Sequence, residues 1–246
     1  MRGAIEMLND ADIDYTVCVD PEDVAEYKSQ FRIRNVAVLD KSLAYNEGVR
    51  QISIANGDKW HWQINDDIYG FSYRRPGKKT TQISVADAIT AIEYEVLRYR
   101  NIGLAGPEED IWPPTKDEVK VNALPAQMLL INNSVKAKFE PFRGFEDINF
   151  MLQVFEQGFC TLKVDSIRIK ASTPGTNKGG AFDAKRDQQL KRLVARWPKV
   201  VFNPGGSPGG RPNRKWIMKT FIQRPIPTKP QQFKLEQEYA NILKAD

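Results

Sequence analysis

The chain has 246 residues, 41% of them hydrophobic and 27% charged, which suits one α/β domain with an ordinary core. No apolar run approaches the ~20 residues of a membrane helix, and Met1-Arg2-Gly3-Ala4-Ile5-Glu6 lacks the apolar stretch of a signal peptide. The net charge of +5 is unevenly spread: residues 161–246 carry 18 Lys/Arg against 6 Asp/Glu, whereas residues 1–160 carry 18 against 25. A basic C-terminal third suits a polyanion such as nucleic acid, and equally a solvated basic face. One histidine, His61, argues against a His-based triad or a zinc site. Cys18 and Cys160 sit in apolar strand-like runs and read as buried thiols, which places the chain in a reducing, cytoplasmic compartment.

In chain order, residues 3–11 read as a helix and Asp14–Val19 as a strand ended by Asp20-Pro21. Pro21 suits the first turn of a helix over about 21–29. Asn35–Leu39 is a short buried strand. Ser42 can cap a helix to about Asn56, which Gly57 stops. Trp60–Ile64 is a strand. Ser84-Val-Ala-Asp87 is a capping-box variant opening a helix to about Arg100, with Val85, Ile89, Ile92, Val96 and Leu97 on one face. This alternation predicts a largely parallel sheet covered by helices. Gly103–Pro114 reads as a loop punctuated by Gly and Pro. Strands over 118–122 and 127–132, a helix over 145–157, a strand over 159–169, a Gly-containing loop over 172–181, a helix over 183–197 and a short strand over 199–202 follow. The segment 225–230 is proline-rich, so 225–246 reads as an extended tail on a domain spanning 1–224.

The most informative segment is Trp62-Gln63-Ile64-Asn65-Asp66-Asp67-Ile68, where a strand runs straight into paired acids. Ligands of open α/β sheets bind at the carboxyl ends of strands. Two carboxylates there can hold Mg²⁺ or Mn²⁺ through oxygen and so neutralise a diphosphate. Asn-Asp-Asp is also good turn chemistry. Glu146 and Asp147 open a helix, where the helix dipole favours acids in any case. A carboxylate in that place can also act as a general base.

These motifs together resemble the GT-A glycosyltransferases, and more narrowly the TET-associated glycosyltransferases found largely in bacteriophages. The resemblance spans about Ala4 to Phe221. It is carried by Leu43–Arg50, Trp60–Asp67, Gly103–Pro107, Leu129–Asn133 leading to Phe142–Asn149, Thr176–Gly180 and Gly210–Trp216. It implies a Rossmann-like mixed sheet flanked by helices, with a basic C-terminal extension. It further implies a UDP-sugar donor, Mn²⁺ or Mg²⁺, and an acceptor hydroxyl on a 5-hydroxymethylpyrimidine of DNA, in the host cytoplasm for a phage protein. Carried over residue by residue, Asp66 and Asp67 would be the metal site. Asn65 and Asp66 would meet the donor, and Asp20 would lie near the uridine or ribose. Asp147 would be the base, with Glu146 beside it. Lys178 and Gly179 would close over the diphosphate, and Arg211, Arg214 and Lys215 would contact donor or DNA phosphates.

Two departures stand out. Met1-Arg2-Gly3 enters the first helix almost at once, so the family's first strand is expected to be missing or shortened. No histidine follows His61, so a C-terminal histidine ligand is absent. Arg74, Arg75, Lys78 and Lys79 form a basic loop past the acid pair, suited to phosphate contact. Phe71, Tyr73, Trp112, Trp197 and Trp216 are candidates to stack on a base, though large aromatics mostly pack in cores. A protein, glycan or small-molecule acceptor, a non-catalytic DNA-binding protein on the same scaffold, and a nucleotidyltransferase are the alternatives.

Overall fold

The structure, a computed structural model, describes residues 3–113, 117–142, 144–171, 186–198, 200–201 and 219–220. The elements in order are α1 (Ala4–Asp10), β1 (Thr16–Val19), α2 (Val24–Gln30), β2 (Asn35–Val38), α3 (Tyr45–Ala55), β3 (Trp60–Ile64), β4 (Ile68–Tyr73), β5 (Thr81–Ile83) and α4 (Val85–Leu97). After them come β6 (Ile102–Glu109), β7 (Val119–Val121), β8 (Met128–Asn132), α5 (Glu146–Glu156), β9 (Cys160–Ala171), α6 (Arg186–Arg196), β10 (Val200–Val201) and β11 (Lys219–Thr220).

Strands β1 and β2 pair in parallel as a small sheet of their own, and β10 pairs with β11. The main sheet has seven strands in the order β3-β8-β6-β9-β4-β5, with β7 also on β9. Only three residues join β3 to β4, yet β8, β6 and β9 lie between them, so the sheet must curl. The expectation of a largely parallel sheet is corrected here. Within the main sheet only β6 and β9 pair in parallel, and the other pairings are antiparallel. The alternation of helix and strand already breaks at β3, which runs into β4 and β5 with no helix between, so consecutive strands need not run parallel. The result is the mixed sheet flanked by helices expected of a Rossmann-like fold.

Helices cover both faces of the main sheet. Leu129 and Ile131 of β8 enter one apolar cluster, with Phe150, Leu152 and Val154 of α5 and Leu193 of α6. Met128 and Leu130 enter the other, with Ile92 of α4 and Leu8 of α1. Alternate strand residues face opposite ways, so a strand buried on both faces must be apolar throughout, as Met128–Ile131 is. Each large apolar side chain so buried contributes roughly 1.5–3 kcal/mol.

Several local expectations hold. The Ser84 side chain accepts from Asp87 N–H at 3.0 Å and Asp87 reaches back, a complete capping box. Gly57 ends α3 at φ 81°, a left-handed value that costs glycine little. Others change. Ala44, not Ser42, precedes α3, and the Ser42 amide instead donates to Asp40 Oδ1 in a turn. Pro21 lies in a turn ahead of α2, not in its first turn. Leu97 ends α4 and is 60% exposed rather than inward-facing.

The largest change concerns the loop expected over Gly103–Pro114. Residues 102–109 are β6, paired on both sides and buried through Glu108. Its glycines mark close approach, not turning. A Cβ at Gly106 would stand 2.2 Å from Met128 O, and one at Gly103 would stand 2.7 Å from Val154 Cγ1. Pro107 is tolerated because the pairing with β9 shifts register between Pro107 and Glu108.

Candidate active site

The register of the main sheet decides which ends meet. β8 runs antiparallel to β3, β6 antiparallel to β8, and β9 parallel to β6. The carboxyl ends of β3 and β6 therefore lie at one rim. Gly158, at φ 79°, turns α5 back into β9 within three residues, so the N-terminus of α5 faces the same rim. The strand-then-acid motifs thus share one end of the sheet, where α/β proteins bind ligands.

Asn65–Ile68 is a tight turn, with Ile68 N–H donating to Asn65 O at 3.4 Å, and Asp66 and Asp67 are its central residues. Asn65 is held by Gln127 O, which accepts its amide at 3.3 Å. The Asp66 carboxylate is exposed, and its Oδ2 accepts a 3.0 Å bond from the Tyr27 hydroxyl of α2. Asp67 points inward. Its Oδ1 is buried and has no hydrogen-bond partner among the described residues. Burial pushes the Asp67 carboxyl above the usual carboxylate range, and the charges of Asp66 and Glu109 add to the shift. Glu109, at the end of β6, accepts from Gln127 Nε2 at 3.5 Å. Asp67 thus feels the charges of Asp66 and Glu109, while its Oδ1 lacks a proton donor among the described residues.

That arrangement fits a hard cation. An orphaned, half-buried carboxylate oxygen beside like charges is unfavourable until a positive charge arrives. Among the described residues, no group of three or more His, Cys, Asp or Glu is disposed to hold a metal by itself. Asp66 and Asp67 could therefore supply only part of a coordination shell, leaving the rest to water and ligand oxygens.

A cavity of about 650 Å³ opens beside Asp66. Asp14–Cys18 and Trp62–Asp66 line it, together with Tyr27 and Tyr45. The Tyr45 hydroxyl donates to Cys18 O at 2.9 Å, and burial pushes its phenol up to about 12. Burial and the Asp66 carboxylate likewise hold Tyr27 in its protonated, donating form. Asp20 follows β1 and bears on Tyr45 through its charge, but it is not part of the cavity wall.

Glu146 and Asp147 occupy the first turn of α5. Asp147 Oδ1 accepts the Ile148 amide at 2.8 Å, as acids at a helix start do. Glu146 Oε2 is buried without a partner among the described residues. Lys178, Gly179, Arg211, Arg214, Lys215 and Trp216 lie outside the described residues. In the basic loop, Arg75 Nε pairs with Glu118 at 2.9 Å and Arg74 lies 3.8 Å from Asp110, so these two are already neutralised. Phe71 is 2% exposed and Trp197 is 4% exposed with Nε1 donating to Asn149, so neither can stack on a base, whereas Trp112 is exposed.

Tyr27, Tyr45, Gln127 and Glu109 escaped the sequence reading. Glu109 follows the apolar run Ile102–Ala105, the same strand-then-acid signal that singled out Asp66, but the intervening Gly106-Pro107 read as a loop. No described helix is long and apolar enough to cross a membrane. A family model described as TET-Associated Glycosyltransferase matches residues 4–180. Comparison with curated proteins and with solved structures returns no match.

Proposed function

The chain belongs to the TET-associated glycosyltransferase family, and from that premise we propose that it moves a sugar from a UDP-sugar to the hydroxyl of a 5-hydroxymethylpyrimidine in DNA, with Mn²⁺ or Mg²⁺. The observation that supports the reading is the buried Oδ1 of Asp67, without a hydrogen-bond partner among the described residues, within reach of the charges of Asp66 and Glu109 at the sheet rim. A bound divalent ion would neutralise the leaving diphosphate as the sugar departs. Asp66 and Asp67 would hold that ion. Asn65, fixed by Gln127, would orient the diphosphate side of the donor. Tyr27 and Tyr45 at the cavity beside Asp66 offer aromatic surface to the nucleoside, with Asp20 toward the ribose.

Asp147, at the α5 N-terminus on the same rim, is the proposed general base, taking the proton from the acceptor hydroxyl, with Glu146 beside it. Lys178 and Gly179 would close over the diphosphate. Arg211 and Arg214, in the basic C-terminal third, would meet phosphates of the donor or of DNA. The test is incubation with a panel of UDP-sugars, Mn²⁺, and hydroxymethylated or plain DNA, read by nucleoside mass spectrometry. The expected result is a mass gain of one sugar on hydroxymethylated DNA alone. UDP release that is indifferent to DNA would overturn the acceptor.

A further inference from the structure

Helix α6 lies beyond residues 4–180, the span that the family model matches. It is fastened to the molecule along one narrow stripe. Leu193 is fully buried in the apolar cluster that holds Phe150, Leu152 and Val154 of α5. Trp197, one turn further on and 4% exposed, donates from Nε1 to Asn149 Oδ1 at 2.9 Å. Arg192 Nη1 donates to Pro141 O at 3.5 Å. Both polar contacts fall on the run into α5 and on its first turn, the end that carries Glu146 and Asp147.

The rest of the helix faces solvent. Gln188, Lys191, Arg192, Val194, Ala195 and Arg196 are all exposed. At 3.6 residues per turn, Lys191, Arg192, Ala195 and Arg196 share an arc of roughly 140°, with Leu193 on the far side. Cations elsewhere in the described chain meet acids, as Arg34 meets Asp12, Arg98 meets Glu95, and Lys120 and Arg168 meet Asp165. Lys191, Arg192 and Arg196 meet no carboxylate among the described residues, and the one acid in the sequence of α6 is Asp187. Two of the three are nevertheless held in place. The Arg192 guanidinium lies 5.0 Å from the Phe142 ring centre, and that of Arg196 lies 5.2 Å from the Trp197 ring centre. A cation that is only solvated gains nothing from being fixed. One that meets an oxyanion does, because less side-chain freedom is lost on binding. Ala195 sits amid the three cations, so no bulky side chain holds a partner away from them.

We propose that this exposed basic face of α6 docks the phosphate backbone of double-stranded DNA, which rests on the reading of DNA as the acceptor and names the element that holds it. Lys191 and Arg196 stand about 7.5 Å apart along the helix axis, about two phosphate steps of one strand at about 3.4 Å each. The face offers no exposed ring on which an unpaired base could stack, since Phe142 and Trp197 are 5% and 4% exposed. A duplex backbone therefore fits it better than a single strand. Contacts of this kind set position without reading sequence. Because α6 grips the first turn of α5, the bound duplex is held beside the end of α5 that bears Asp147.

The test titrates the full chain into a short labelled duplex of unmodified DNA, with no donor present, and follows anisotropy at several salt concentrations. Ala195→Lys adds a cation at the middle of the face without touching the buried stripe. It should tighten binding several-fold and steepen the slope of log affinity against log salt by about 0.9. Lys191→Gln combined with Arg196→Gln should weaken binding on the order of tenfold and flatten that slope by about 1.8. Val194→Ala, exposed on the same helix but outside the arc, should change neither. Duplex binding by the wild type that Ala195→Lys and the double variant both leave unchanged would overturn α6 as the dock while leaving DNA as the acceptor. No duplex binding by the wild type at any salt would overturn both. Tighter binding of single-stranded RNA of the same length, with the same response to the variants, would overturn duplex DNA as the occupant.

Discussion

The Tyr27 hydroxyl reaches across 39 residues of sequence to donate a 3.0 Å hydrogen bond to Asp66 Oδ2. Helix α2, which carries Tyr27, buries no residue of its own. The bond therefore ties a lightly packed helix to the turn that bears the acid pair. Tyr27→Phe should leave the core intact and lower Tm little. Because a net hydrogen bond contributes about 1 kcal/mol, donor binding should weaken by roughly fivefold. Calorimetric titration with UDP and Mn²⁺ checks this, and an unchanged affinity would remove Tyr27 from the site.

Asp67→Asn should separate stability from activity. The Asp67 carboxyl has a raised pKa in the fold, so its contribution to stability is full below its ordinary value of 3.8 and is lost as pH rises through the folded value. A neutral amide removes that loss. The variant should melt slightly higher than the wild type at pH 7 without added metal, yet lose transfer by about 100-fold or more, since cation stabilisation of a leaving diphosphate is worth several kcal/mol. A variant that melts lower and still transfers sugar would dismantle the assignment.

Gly106→Ala tests the contact at the centre of the sheet. A methyl group 2.2 Å from Met128 O cannot be accommodated without separating β6 from β8. The cost should reach at least about 3 kcal/mol, the top of the usual overpacking range, and Tm should fall by about 6–12 °C or the chain should not fold. Circular dichroism melts decide the matter, and a melt within a degree of wild type would contradict the close approach.

His61 is the single histidine, so its ring protons give an unambiguous NMR titration. Burial, helped by the charge of Arg50, lowers its pKa to about 4. The unfolded chain binds a proton near 6.5 while the folded one does not. Stability from this group is therefore full above about 6.5 and declines as pH falls toward about 4. A measured midpoint near 4 is expected, and His61→Gln should flatten that stretch of the stability curve. A midpoint near 6.5 would place the ring in water.

Local chemistry was legible from the sequence. Trp60–Ile64, the Ser84–Asp87 capping box and the Gly57 stop are short-range patterns, and the structure keeps each of them. Strand β6 was not legible, because Gly103 and Gly106 are small for reasons that lie in other elements, the side chain of Val154 and the carbonyl of Met128. The acid turn at Asp66 and Asp67 stood out by its place after a strand. Its companions Tyr27, Gln127 and Glu109 become neighbours only when distant segments meet, and no spacing in the sequence announces that.

Arg168 is fully buried, pairs with Asp165 at 2.9 Å, and donates from one nitrogen to the carbonyls of Glu109 and Trp112, each at 3.1 Å. The base of the segment from Glu109 to Trp112 is thus riveted to the sheet interior, while Ile111 and Trp112 at its tip face solvent at 71% and 42% exposure. The anchor grips main-chain carbonyls, whereas what faces solvent at Ile111 and Trp112 is side chain. Substitutions at the two exposed positions can reshape whatever surface approaches the rim without displacing the Glu109 carboxylate, so this segment offers a place where preference for one acceptor over another can drift while the acid cluster stays put.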